Sequence, residues 1–189
     1  MKHLRRRQRW LYAIMPTSDP NTTEPVRRLF SFPDPVNEVS ARLVAAGVVT
    51  MAVMAIAFDV RWLTAVIAYG FVARVLSGPT LSPLGQLVTR VVTPRLSLPP
   101  RFVPGPPKRF AQGIGAVFSV TAAVLALALD RWGAAQVMLA LLAVAAFLEA
   151  VFTLCLGCKA FALLMRAGVI PASVCERCDD LWGVRRTAT

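Results

Sequence analysis

Four cysteines stand near the end of the chain in two equal spacings, Cys155-Leu156-Gly157-Cys158 and Cys175-Glu176-Arg177-Cys178, and no other cysteine occurs. Thiols three residues apart can cycle between dithiol and disulfide. Two such pairs can pass electrons or sulfur between them by thiol exchange. The same C-x2-C-x16-C-x2-C spacing falls in the four-thiolate pattern of a closed structural zinc site. Simple packing accounts for isolated buried cysteines and fits two regular pairs poorly. Other catalytic sets are lacking: the single histidine, His3, lies far from these residues, and no glycine-rich nucleotide loop is present.

The reactivity of the first pair depends on the helix that carries it. On an unbroken helix C-terminus, the electronegative end disfavours a thiolate at Cys155 or Cys158. A break at Gly157 instead sets Cys158 near a fresh helix start, with Lys159 beside it to favour ionisation. Residues 159–167 then read as a short interfacial helix ending at Gly168. Cys175 and Cys178 have Arg177 between them but also Glu176, Asp179 and Asp180 nearby, which suits exchange with a soluble partner better than a strongly acidic thiol.

The elements that carry these residues are greasy. The chain of 189 residues is 56% hydrophobic and only 16% charged, yet its net charge is +11, and its mean hydropathy is +0.59. That combination points to a membrane protein with basic flanks and away from a nucleic-acid binder, whose basic residues cover a polar body. Residues 43–58, 62–76, 113–129 and 134–156 are apolar runs, broken only by Arg74 and Glu149. With their flanks they reach the roughly 20 residues a bilayer core requires. They are apolar all round, unlike the striped helices of a soluble bundle, and lack the alternation of barrel strands. Asp59-Val60-Arg61 and Asp130-Arg131-Trp132-Gly133 are tight breaks, with Trp62 and Trp132 at aromatic-belt positions. The expectation is an all-α polytopic membrane protein with four transmembrane helices in two hairpins.

Between the hairpins, residues 84–92 read as an amphipathic surface segment. The proline-rich run 98–110 reads as a stiff extended connector. Residues 1–31 form a flexible basic arm with no cleavable signal, residues 32–168 the membrane domain, and residues 169–189 a cysteine-containing tail. Basic residues gather in the arm, the central loop (Arg90, Arg95, Arg101, Lys108, Arg109) and the tail, while each short break holds one Arg beside an Asp. This asymmetry predicts a cell-membrane protein with both termini cytoplasmic and all four cysteines at the cytoplasmic side, where thiols are kept reduced.

Arg74 and Glu149 are ionisable groups inside apolar runs. Counted from the outer breaks at about 1.5 Å per residue, they lie roughly 18 Å and roughly 25 Å down, deep enough to meet in the cytoplasmic half. A group at that depth pairs or lines a cavity. An ion pair locking two helices is the plainer expectation; an anion or proton site is the functional one, and it keeps a small-anion permease in view.

Several stretches together are similar to the bacterial membrane family known as domain of unknown function 4395. They are Phe32-Pro33-Asp34-Pro35-Val36-Asn37-Glu38, Phe71-Val72-Ala73-Arg74 with Ser77-Gly78-Pro79 and Ser82-Pro83, Pro106-Pro107-Lys108-Arg109-Phe110-Ala111-Gln112, and Phe147-Leu148-Glu149-Ala150 with Cys155-Leu156-Gly157-Cys158. The resemblance implies an integral membrane protein whose paired cysteines matter, with thioredoxin-like or rhodanese-like partners, and it implies no particular reaction. The expected function is a thiol-redox or sulfur-relay component of the bilayer. In it Cys155 and Cys158 form the membrane-proximal couple and Cys175 and Cys178 the tail couple, with Arg74 and Glu149 shaping the site. The alternative is a non-enzymatic membrane protein with a zinc-bound tail.

Overall fold

A computed structural model describes residues 32–96, 99, 101–171 and 174. The basic arm and most of the cysteine-containing tail lie outside these residues. The first described element is a two-residue strand, β1 (Val36–Asn37). Helix α1 (Glu38–Ala57) follows at once, its first turn capped by the Asn37 carboxamide, which accepts from the Val39 N–H at 3.0 Å. Helix α2 (Leu63–Ser77) comes next, and then α3 (Pro83–Leu87), which runs on through a π-helical turn at Val88–Val92 and a last turn at Thr93–Arg95. Strand β2 (Phe102–Val103) pairs antiparallel with β1, Val36 opposite Val103 and Asn37 opposite Phe102. Helices α4 (Gly105–Ala123, prolonged by a π-helical turn at Val124–Ala128), α5 (Trp132–Phe152) and α6 (Leu156–Arg166) complete the order.

Three of these are long and apolar enough to cross a membrane: α1, α4 with its extension, and α5, of 20, 24 and 21 residues. Helix α2 is apolar but shorter, at 15 residues. Ala45, Ala52, Ala55, Ala122, Ala135 and Ala146 are buried beside larger residues such as Val48, Ile67, Phe71 and Leu139, whereas Val66, Val72, Leu127, Val137, Leu141 and Val144 are exposed. Large apolar residues left outside suit a surround of lipid, and the buried alanines allow close backbone packing. The main packing runs between helices distant in sequence: α1 lies on α5 and α2 on α4, with α4 also against α5 and α6.

The proline-rich run is not a plain extended connector. Its middle supplies β2, and its end is helical from Gly105 onward. Pro106 and Pro107 occupy the first turn, where a missing N–H costs nothing and a fixed φ favours the helix. Asp34 receives the Gly105 N–H at 3.0 Å, so the segment before α1 pins the start of α4. A Cβ on Gly105 would come within 2.8 Å of the Pro33 carbonyl oxygen, which makes the glycine necessary for that approach.

The two short breaks meet. Asp59 and Asp130 both adopt left-handed backbone, at φ 53° and 50°, a conformation Asp tolerates better than most residues. The Asp59 carboxylate accepts from the Trp132 indole N–H at 2.7 Å, and Arg61 pairs with Asp130 while lying over the Trp132 ring. The breaks therefore form one clasped end of the bundle. The opposite end gathers the start of α1, the end of α2, the start of α4, the end of α5 and α6.

Candidate functional site

At that opposite end, helix α5 stops before the first cysteine pair. Thr153 takes left-handed backbone at φ 60°. Arg42 of α1 donates to the Ala150 carbonyl through Nε and Nη2, at 3.0 and 2.9 Å, and to that of Val151 at 3.3 Å. A guanidinium thus satisfies carbonyls that another helical turn would have used. The break comes earlier than Gly157, so Cys155 becomes the N-cap of α6. Its sulfur accepts the Cys158 N–H at 3.4 Å, and the Cys158 thiol donates to it with the sulfurs 2.6 Å apart.

This geometry decides which sulfur ionises. The Cys158 hydrogen bond, chiefly, holds the Cys155 thiol below its ordinary value; Lys108 acts in the same sense, while burial and Glu149 oppose it. Cys158 is pushed up by donating to Cys155 and then by burial. The favoured thiolate is therefore Cys155, at a helix N-terminus; of the two alternatives the sequence left open, a break at Gly157 would have made it Cys158 and an unbroken helix would have disfavoured both.

Arg74 and Glu149 do not bond to each other. Glu149 accepts from Lys108 Nζ at 2.6 Å, and Lys108 is 8% exposed despite its expected place in a loop. Arg74, 5% exposed, donates from Nε to Gln112 at 3.0 Å and from Nη1 to Ser82 at 3.2 Å, with its guanidinium carbon 4.4 Å from the centre of the Phe71 ring. The two remain electrostatic neighbours. Lys108 and Gln112 are four residues apart on one face of α4, and reading Pro106-Pro107 as a helix start would have exposed that stripe.

Helix α6 reaches this cluster because Gly157 lies against α4. A Cβ there would meet the Ala111 Cα at 2.6 Å. Phe161 of α6 packs on Phe110, ring centres 5.6 Å apart. Next to this contact is an open cavity of about 490 Å³, lined by Phe32, Asp34, Arg109, Phe110, Phe161 and Val174 among others. Cys175 and Cys178 lie outside the described residues. Among the described residues, no group of three or more His, Cys, Asp or Glu side chains is arranged to hold a metal ion.

The site thus gathers residues from four separated stretches: Arg74 and Ser82, Lys108 and Gln112, Glu149, and the Cys155–Cys158 pair. Residues 36–166 match the family Domain of unknown function (DUF4395). The chain belongs to that family. No curated protein and no solved structure matches it. Within the DUF4395 region two buried cations, Arg74 and Lys108, face one carboxylate, Glu149. The Cys155–Cys158 pair lies beside this charged cluster, with Gly157 between the two cysteines packed on Ala111 of α4.

Proposed function

We propose that this DUF4395 protein is a thiol-redox or sulfur-relay component of the cell membrane, working with a cytoplasmic thioredoxin-like or rhodanese-like partner. The observation that carries this reading is Cys155 as helix N-cap, accepting from Cys158 beside the partly buried Lys108–Glu149 pair. In the proposed reaction the Cys155 thiolate attacks one sulfur of a partner disulfide. An S–S bond forms to Cys155, and one partner thiolate leaves. Cys158, losing its proton, then attacks Cys155 Sγ and releases the other partner sulfur. The protein's dithiol is oxidised by two electrons and the partner's disulfide is reduced by two. Cys175 and Cys178 serve as the tail couple.

In this reading α1, α2, α4 and α5 are four spans in two hairpins, with the clasped breaks outward and both termini cytoplasmic. The segregation of Arg42, Arg109 and Lys159 to the end opposite the breaks supports that orientation. The test is zinc content and free-thiol count on detergent-purified protein before and after mild oxidation. The expected result is no stoichiometric zinc, with thiols lost in pairs and regained with thioredoxin. About one zinc per chain with four protected thiols would overturn the proposal.

A further inference from the structure

The redox cycle leaves one proton unassigned. Cys158 becomes a nucleophile only by losing the hydrogen it donates to Cys155, and the half-buried pair, packed under α4 through Gly157, gives bulk water limited access to it. We infer that Glu149, oriented by its 2.6 Å bond to Lys108, accepts the Cys158 proton and so governs closure of the Cys155–Cys158 disulfide. The inference rests on the thiol-redox reading above.

The groups facing Glu149 come from every element around it. Lys108 of α4 bonds to it, Arg74 of α2 is within electrostatic range, the Cys155–Cys158 pair of α6 is set against α4 one turn from Lys108 through the Gly157–Ala111 contact, and Arg42 of α1 binds the carbonyl of the next residue, Ala150. A carboxylate among two cations and two thiols is the one anionic base in the cluster while Cys155 is in a mixed disulfide. Proton transfer is balanced at that moment. The Cys158 S–H bond breaks, Glu149 becomes a carboxylic acid, directly or with Lys108 passing one proton on while taking the other, and the Cys158 thiolate displaces the partner sulfur from Cys155. Glu149 then returns the proton to the departing thiolate or to water. Before the attack it serves no such role, because Cys155 is already the favoured thiolate. The first step should therefore not depend on Glu149 as a base, and the second should.

The experiment uses the full chain in detergent with Cys175→Ser and Cys178→Ser, so that only the first pair reacts. A chromogenic nitrobenzoate disulfide is the partner surrogate, followed by stopped flow. The expected result is two releases of chromophore, the first from attack by Cys155 and the second from closure by Cys158. Glu149→Gln keeps the first phase and slows the second on the order of 100-fold at neutral pH, the usual scale of a lost acid–base group. The slowed phase recovers about tenfold per pH unit as hydroxide replaces the base, and Glu149→Asp restores part of the rate. Because Glu149→Gln leaves Lys108 without its carboxylate, Lys108→Met with Glu149→Gln is the second variant, and its second phase is slowed alike. A second phase unaltered in either folded variant overturns the proton-acceptor role while leaving the redox reading intact. No chromophore release from the unaltered pair would sink the redox reading itself.

Discussion

Cys155 and Cys158 differ by three positions and by their place relative to one helix end, and that difference assigns their roles. Alkylation of Cys155 should rise with pH through a midpoint below that of an ordinary thiol, because the Cys158 hydrogen bond favours the thiolate. Lys108→Met should move that midpoint upward, since a cation that stabilises the thiolate is lost. Rates with iodoacetamide across pH, resolved by mass spectrometry, check both. The same substitution leaves the partly buried Glu149 without its ion-pair partner, and should lower stability by about 1–3 kcal/mol. Adding Glu149→Gln should restore most of that, as seen in thermal unfolding in detergent. Cys155, Cys158, Arg74 and Glu149 are legible in the sequence because thiol spacing and a charge in an apolar run stand out. Lys108 is not, since it sits beside Arg109 after two prolines and resembles any basic loop residue until α4 is seen to begin at Gly105.

Among the elements, α6 is the one whose position makes the site. It starts where Thr153 turns left-handed and Arg42 binds the end of α5, and it closes on α4 only because Gly157 lacks a side chain. Gly157→Ala should push α6 off Ala111, cost about 1–3 kcal/mol as an overpacked contact, and slow disulfide closure between Cys155 and Cys158 in a redox titration. Gly115→Ala is the control on the other side of α4. Its added methyl would run into the Phe71 ring, so it should loosen α2 and the Phe71–Arg74 contact while leaving α6 in place. The long helices follow from the apolar runs, and the turns at Asp59 and Asp130 from the polar breaks between them. The break before Cys155 does not, because it depends on a guanidinium 108 residues away along the chain. The strand pair β1–β2 likewise joins distant stretches, Val36 to Val103 and Asn37 to Phe102, a pairing that two residues per strand do not announce.

For the molecule as a whole, the distribution of cysteines makes orientation testable without any probe being added. With the thiols cytoplasmic, a membrane-impermeant maleimide should leave all four cysteines unlabelled in intact cells and label them after permeabilisation. Gly133→Cys, at the clasped end, should be labelled in intact cells. Labelling of the native cysteines from outside would reverse the proposed topology. The family and the membrane character were open to a reading of the sequence, because motifs and hydropathy are local. The partner of each helix was not, because α1 finds α5 and α2 finds α4 across the whole domain.

That pairing has a consequence for biogenesis. Helix α1 is the first apolar segment of the membrane domain to emerge from the ribosome, and the surface it buries is supplied by α5, the last long one. The alanine-lined face of α1 (Ala45, Ala52, Ala55) and the Asp59 carboxylate both wait for residues beyond 130. Until synthesis passes that point, the early helices lack the faces that cover them in the finished bundle. The cysteine site, assembled from the same late-arriving α5 and α6, forms only in chains that have finished folding.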